Sequence, residues 1–240
     1  MATEIILLIL EIVGTIAFAV SGAFVAIKAK LDVFGVIFIG CVTAVGGCIT
    51  RDILIGATPP AIFTNSYILW IAALTSAVVF VIAYLNREKF DDVRAHIEHI
   101  NNFFDAVGLA AFSVMGTEIA FTNGLSDNPV LSVVLGMLTG VGGGMIRDIL
   151  TDTTPYIFKK HVYALASIAG ATLYYILRYF LSEMVMIPTM VAMLLVILLR
   201  MLATKYRWSL PKVQLKDEVK SMPMNKEMPK GEEFEEKKAS

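Results

Sequence analysis

The chain is poor in charge and nearly devoid of cysteine. Lys, Arg, Asp and Glu together supply 17% of its 240 residues against 57% hydrophobic. At a mean hydropathy of +0.71 it is too apolar for a water-soluble globule, and the bilayer is the solvent that fits such a composition. The two cysteines, Cys41 and Cys48, stand on one apolar stretch about 10 Å apart by helical rise, too far to bridge. No disulfide framework is there to read. A net charge of −1 shows no basic surplus, and nothing in the sequence resembles a nucleic-acid binder. No Gly-Lys-Ser/Thr follows a glycine cluster, so a P-loop and a dinucleotide fingerprint are both missing. With no evident intramembrane hydrolase constellation, neither an enzyme nor a cofactor is expected.

What is present is a series of long apolar runs. A hydrocarbon core about 30 Å thick needs roughly 20 such residues per helix, and seven runs qualify: Ile5 to Ile27, Val33 to Thr50, Tyr67 to Tyr84, Phe103 to Thr122, Pro129 to Ile146, Val162 to Phe180 and Met184 to Leu202. They are continuous rather than alternating, which predicts an all-α integral membrane protein and not a barrel. Met-Ala-Thr-Glu at the start lacks the positive region of a signal peptide. With Arg51 and Arg147 set aside, the loops on the C-terminal side carry Lys28, Lys30, Arg87, Lys89, Arg94, Lys159 and Lys160, and Lys205 and Arg207 open the tail; the other side has Arg178. This bias predicts an outside N-terminus and a cytoplasmic C-terminus. Residues 205–240 hold nine Lys/Arg, seven Asp/Glu and three prolines, a composition that predicts a disordered cytoplasmic tail.

The chain repeats itself. Thr43, Val45, Gly46, Gly47, Arg51, Asp52, Ile53, Leu54 and Pro59 recur 96 positions later as Thr139, Val141, Gly142, Gly143, Arg147, Asp148, Ile149, Leu150 and Pro155. At an offset of 94, Gly14, Ala17, Phe18 and Gly22 recur as Gly108, Ala111, Phe112 and Gly116. The expected organisation is a first three-helix repeat over 1–85, a cytoplasmic connector over 86–101, a second repeat over 102–182, a seventh helix over 183–204 and the tail. Because three is odd, the second repeat enters the membrane inverted, a plan that puts solute sites near the midplane.

The second helix of each repeat bears small residues every fourth position, Gly40, Ala44 and Cys48 in one, Gly136, Gly140 and Gly144 in the other. Such a stripe serves close helix packing. Consecutive glycines, Gly46-Gly47 and Gly142-Gly143-Gly144, cost about 1 kcal/mol each relative to Ala and predict a kink or break. In lipid a break must face protein or a wet cavity, so these five glycines are candidate pore elements. Arg51-Asp52 and Arg147-Asp148 follow, and charges at membrane depth pair, snorkel or line a path. They are candidate gate charges, with capping or an inter-repeat salt bridge as the structural alternative. Glu11, Asp105 and Glu118 are possible pathway acids. Glu11 and Asp105 are repeat mates, Asp105 reads equally as an acid near a helix start, and Glu118 as an interfacial carboxylate. His96 and His99, near Asp91 and Asp92, have the spacing of a metal site, but a solvated connector accounts for them and no metal is expected.

The doubled Gly-Gly-x-x-x-Arg-Asp at Gly46 to Asp52 and Gly142 to Asp148, each preceded by a helix bearing Gly-x-x-Ala-Phe-x-x-x-Gly, resembles the prokaryotic branch of the trimeric intracellular cation (TRIC) channels. The resemblance covers about residues 5 to 202. It implies a homotrimer of seven-helix protomers in a prokaryotic inner membrane, each with its own pore kinked at the glycine motifs and passing potassium and sodium. Permeant monovalent cations and bound membrane lipid are then the only small partners implied. Cys48 stands where Gly144 stands in the second motif, a departure from a full triple glycine. Arg51-Asp52-Ile53 occupies the region of the animal members' Lys-Glu-Val signature, which speaks against phosphoinositide control of their kind. Bacterial relatives of the same family also carry the label of small-amino-acid transporter, the alternative use of a broken-helix site.

Overall fold

The computed structural model describes residues 2–86, 94–159, 162–181, 184–206 and 208, and among these it is all-helical. The first repeat comprises α1 (Ala2–Lys28), α2 (Val33–Leu54), the short α3 (Ala61–Thr64) and α4 (Tyr67–Leu85). The second comprises α5 (Arg94–Thr122), α6 (Pro129–Leu150), the short α7 (Tyr156–Lys159) and α8 (Val162–Phe180), and α9 (Met186–Lys205) follows. Arg94 to Asn101, expected in the connector, are the first turns of α5. Apart from Lys205, Tyr206 and Trp208, the expected tail lies outside the described residues, as do Asp91 and Asp92 and the side chain of His96.

Among the described residues, six helices are long and apolar enough to cross a membrane. Val162–Phe180, an expected span, is a 19-residue helix outside that set; Arg178 and four tyrosines dilute its hydropathy. Apolar side chains also cover the outside. Trp70 and Leu74 on α4 and Leu194 and Leu198 on α9 are exposed, which water penalises and lipid does not. The protein is a membrane protein.

Matched sequence makes matched ends. Asp32 accepts from Gly35 N at 2.8 Å to start α2, and Asn128 accepts from Leu131 N at 3.0 Å to start α6, the side-chain oxygens satisfying otherwise orphaned amides. Gly56 and Asp152, also 96 apart, take left-handed conformations with φ of 74° and 51°. Just beyond each, Ala57 N and Thr153 N, both 2.9 Å from their acceptors, donate back to Asp52 and Asp148 carbonyls and close the helices.

The centre is built from reciprocal contacts. Phe18 of α1 lies on Gly108 of α5, Phe112 of α5 lies on Gly14 of α1, and the two rings meet at 5.3 Å. Gly22 packs on Thr43, and Gly116 on Thr139. Both threonine hydroxyls bond back to the carbonyl four residues earlier, at 2.6 Å each.

Candidate functional site

Of the kink or break expected at the glycines, the break is absent: α2 runs unbroken through Gly46 and Gly47, and α6 through Gly142, Gly143 and Gly144. The physical reason lies in the neighbouring helix. Gly47 abuts the backbone carbonyl of Thr139, and Gly143 abuts that of Thr43. A Cβ on Gly142 would stand 3.1 Å from Gly47 Cα, and one on Gly46 3.5 Å from Gly143 Cα. Missing side chains are therefore used for approach, α2 crossing α6 almost backbone on backbone, which offsets the poor helix propensity of glycine. The outer stripe packs similarly: Gly40 meets Ser76 of α4, while Gly136 and Gly140 meet Thr117 and Ser113 of α5.

Past the crossing, each Arg-Asp pair closes on itself. Arg51 donates to Asp52 Oδ1 from Nε at 2.9 Å and from Nη2 at 2.7 Å, and Arg147 Nε donates to Asp148 Oδ1 at 2.8 Å. The second carboxylate oxygen caps the following short helix: Ala61 N reaches Asp52 Oδ2 and Tyr156 N reaches Asp148 Oδ2, both at 2.9 Å. All four side chains are buried. One carboxylate thus neutralises a guanidinium and holds the turn after the helix.

The acids diverge. Asp105, well inside α5 rather than near a helix start, is fully buried between two arginines. Arg147 Nη1 is 2.9 Å from Oδ1, and Arg200 Nη2 of α9 is 3.4 Å from Oδ2. Arg147 Nη1 also donates to Ser21 of α1 at 2.7 Å, joining the repeats, and the Arg200 guanidinium lies 4.5 Å from the centre of the Tyr163 ring, within cation–π range. Glu118, expected at an interface with water, is buried. It receives Tyr174 Oη at 2.8 Å and Arg178 Nε at 3.1 Å, so it ties α5 to α8. Glu11, the mate of Asp105, receives only the Tyr67 hydroxyl, at 3.1 Å; among the described residues no basic group is paired with it. A cavity of about 10 Å³ opens here, lined by Glu11, Thr15, Cys48, Arg51 and Asp52 among others, room for about one water. Among the described residues no cluster of potential metal ligands is found.

Tyr163 and Tyr67 are mates at an offset of 96 with opposite fates. Tyr163 is buried over Gly144, where a Cβ would come 2.9 Å from its hydroxyl; Tyr67 is 41% exposed and turned to Glu11. Cys48 occupies the position of Gly144 in the first repeat. Reading by repeats found Glu11, Asp105 and both Arg-Asp pairs. It missed Arg200, although a lone arginine inside the seventh apolar run was itself a signal, and it missed the tyrosines, whose partners lie on other helices.

Two Arg-Asp clusters flanking a glycine crossing in a bundle of apolar helices define a membrane protein with buried charge on either side of a closed contact. The family model described as Glycine transporter matches residues 8–84 and again residues 102–179. The UPF0126 inner membrane protein YadS of Escherichia coli K12 is 35% identical over 84% of this chain and 93% of its own. A crystal structure of a prokaryotic TRIC channel in potassium chloride is 34% identical, covering 86% of this chain and all of that one at a TM-score of 0.76. The TRIC trimeric intracellular cation channel orthologue from Rhodobacter sphaeroides is 26% identical over 84% of this chain and 98% of its own, at 0.74. The chain belongs to this family of TRIC-like and UPF0126 membrane proteins.

Proposed function

We propose that the protein is a monovalent cation channel, selective for potassium and sodium, that works as a homotrimer with one pore per protomer. The observation that carries this reading is the likeness to solved TRIC cation channels along almost their whole length. The protomer then spans the membrane seven times, Val162–Phe180 included, as two inverted repeats with an outside N-terminus and a cytoplasmic C-terminus in a prokaryotic inner membrane. The path runs along α1, α2, α5 and α6. Glycines 46, 47, 142, 143 and 144 form its narrowest part, Arg51, Asp52, Arg147 and Asp148 stand on its two sides, and Glu11 and Asp105 are the acids a cation meets. Glu118, tied to Arg178 and Tyr174, serves the bundle instead. With α2 against α6 at Gly47 and Gly143, conduction requires these helices to part or bend at the glycines, where backbone stiffness is least.

Purified protein in planar bilayers tests the reading. Discrete ohmic current in potassium salt is the expected result. Saturable counterflow of labelled glycine without such current would overturn it in favour of a small-amino-acid transporter built on the same helices.

A further inference from the structure

The two repeats place the same chemistry at both ends of the crossing but complete it differently. In the second repeat, two carboxylates, Asp105 and Asp148, face two guanidiniums, those of Arg147 and Arg200. In the first, two carboxylates, Glu11 and Asp52, face one guanidinium, Arg51, and that one is spent on Asp52. The missing charge is the mate of Arg200, which comes from α9 and has no counterpart because α9 is outside the repeat. Where the Arg200 guanidinium sits between Asp105 and the Tyr163 ring, Glu11, which accepts from the Tyr67 hydroxyl, instead borders the small cavity. Thr15, fully buried, lines that cavity with a hydroxyl that has no partner, and Arg51 Nη1 is likewise unpartnered. A buried hydroxyl left unpaired carries a desolvation penalty, so the pocket is short of a ligand.

We propose that Arg200 is a tethered cation filling in the second repeat a site that the first repeat offers to a mobile monovalent cation, held by Glu11 with the Thr15 hydroxyl oxygen as a further ligand. The inference deepens the channel reading and rests on it for the class of ion. The cavity is the size of one water, which suits a potassium ion stripped of most of its shell and excludes a hydrated divalent ion. The protomer is then asymmetric in use: the Glu11 end binds and releases permeant ions, while at the other end the charge of Asp105 is balanced by Arg200.

Equilibrium binding of radiolabelled rubidium to purified full-length protein in detergent, with choline chloride holding the ionic strength, tests this. Wild type is expected to bind one ion per protomer. Glu11→Gln is expected to lower affinity about tenfold or more, the loss of one nearby full charge at low dielectric, and Thr15→Val to lower it less. Arg200→Gln is expected to add a second site and Arg200→Lys to leave one, because the tethered charge stays. Arg200→Gln leaves Asp105 short of a partner and can fail to fold, so Glu11→Gln decides by itself. Unchanged rubidium binding in folded Glu11→Gln, or folded Arg200→Gln with no added site, overturns the proposal. Binding that depends on Glu11 in a protein that passes no current keeps the site and sinks the channel reading; current alongside binding indifferent to Glu11 does the reverse.

Discussion

Gly47 of α2 lies against the backbone carbonyl of Thr139 on α6, and by the internal repeat Gly143 of α6 lies against that of Thr43 on α2. Backbone cannot swing aside as a side chain can, so a methyl group at either position must push the helices apart. Gly47→Ala and Gly143→Ala are each expected to destabilise the protein by about 1–3 kcal/mol, the range of overpacked cores. Gly46→Ala should cost less, because its new methyl meets the flexible end of Ile146. Thermal unfolding in detergent ranks the three; a Gly46→Ala variant as damaged as the other two would contradict this geometry.

Asp105 serves two buried arginines at once. Its replacement by Asn leaves Arg200 uncompensated and Arg147 with Asp148 alone, and removal of one partner from a buried ion pair costs about 3–5 kcal/mol. Glu11→Gln, in a partly open setting with a single hydroxyl partner, should change stability little. Comparing the melting temperatures of the two variants checks the asymmetry, and equal losses would refute it.

Glu118 and Arg178 couple α5 to α8. A double-mutant cycle with Glu118→Gln and Arg178→Gln is expected to return an interaction of about 0.6–2 kcal/mol, in the range of polar contacts between membrane helices. An additive result would mean that the pair contributes nothing to the bundle.

Gly144→Cys gives the second repeat the residue that the first repeat has at Cys48, and the new side chain meets the Tyr163 hydroxyl. The variant is expected to lose stability and to regain much of it on Tyr163→Phe, which removes the colliding oxygen. Failure of the second change to rescue would show that the ring, and not its hydroxyl, sets the clearance.

How far the molecule was legible in its sequence follows from where the determinants sit. Apolar runs and doubled motifs are local, so the long helices, the Arg-Asp pairs and the Glu11/Asp105 correspondence could all be read. The glycines misled on one point. Their low helix propensity is a property of the isolated helix and predicts a kink or break, of which the break is absent, whereas the carbonyls of Thr43 and Thr139 that face them belong to the opposite repeat and no single segment reveals them. Glu118 misled for the same reason, because Tyr174 and Arg178 lie 56 and 60 residues away. Arg200 was visible as a charge in an apolar run, but its meaning depends on Asp105 and Tyr163, which only the packing of α9 brings to it.

The most direct test of the central claim is the reversal potential of wild-type protein in a planar bilayer under a potassium chloride gradient. A value near the potassium equilibrium potential, shifted toward zero when Asp52 and Asp148 are both changed to Asn, is the predicted result. A value near that of chloride, or no current under any voltage while labelled glycine exchanges, would contradict it.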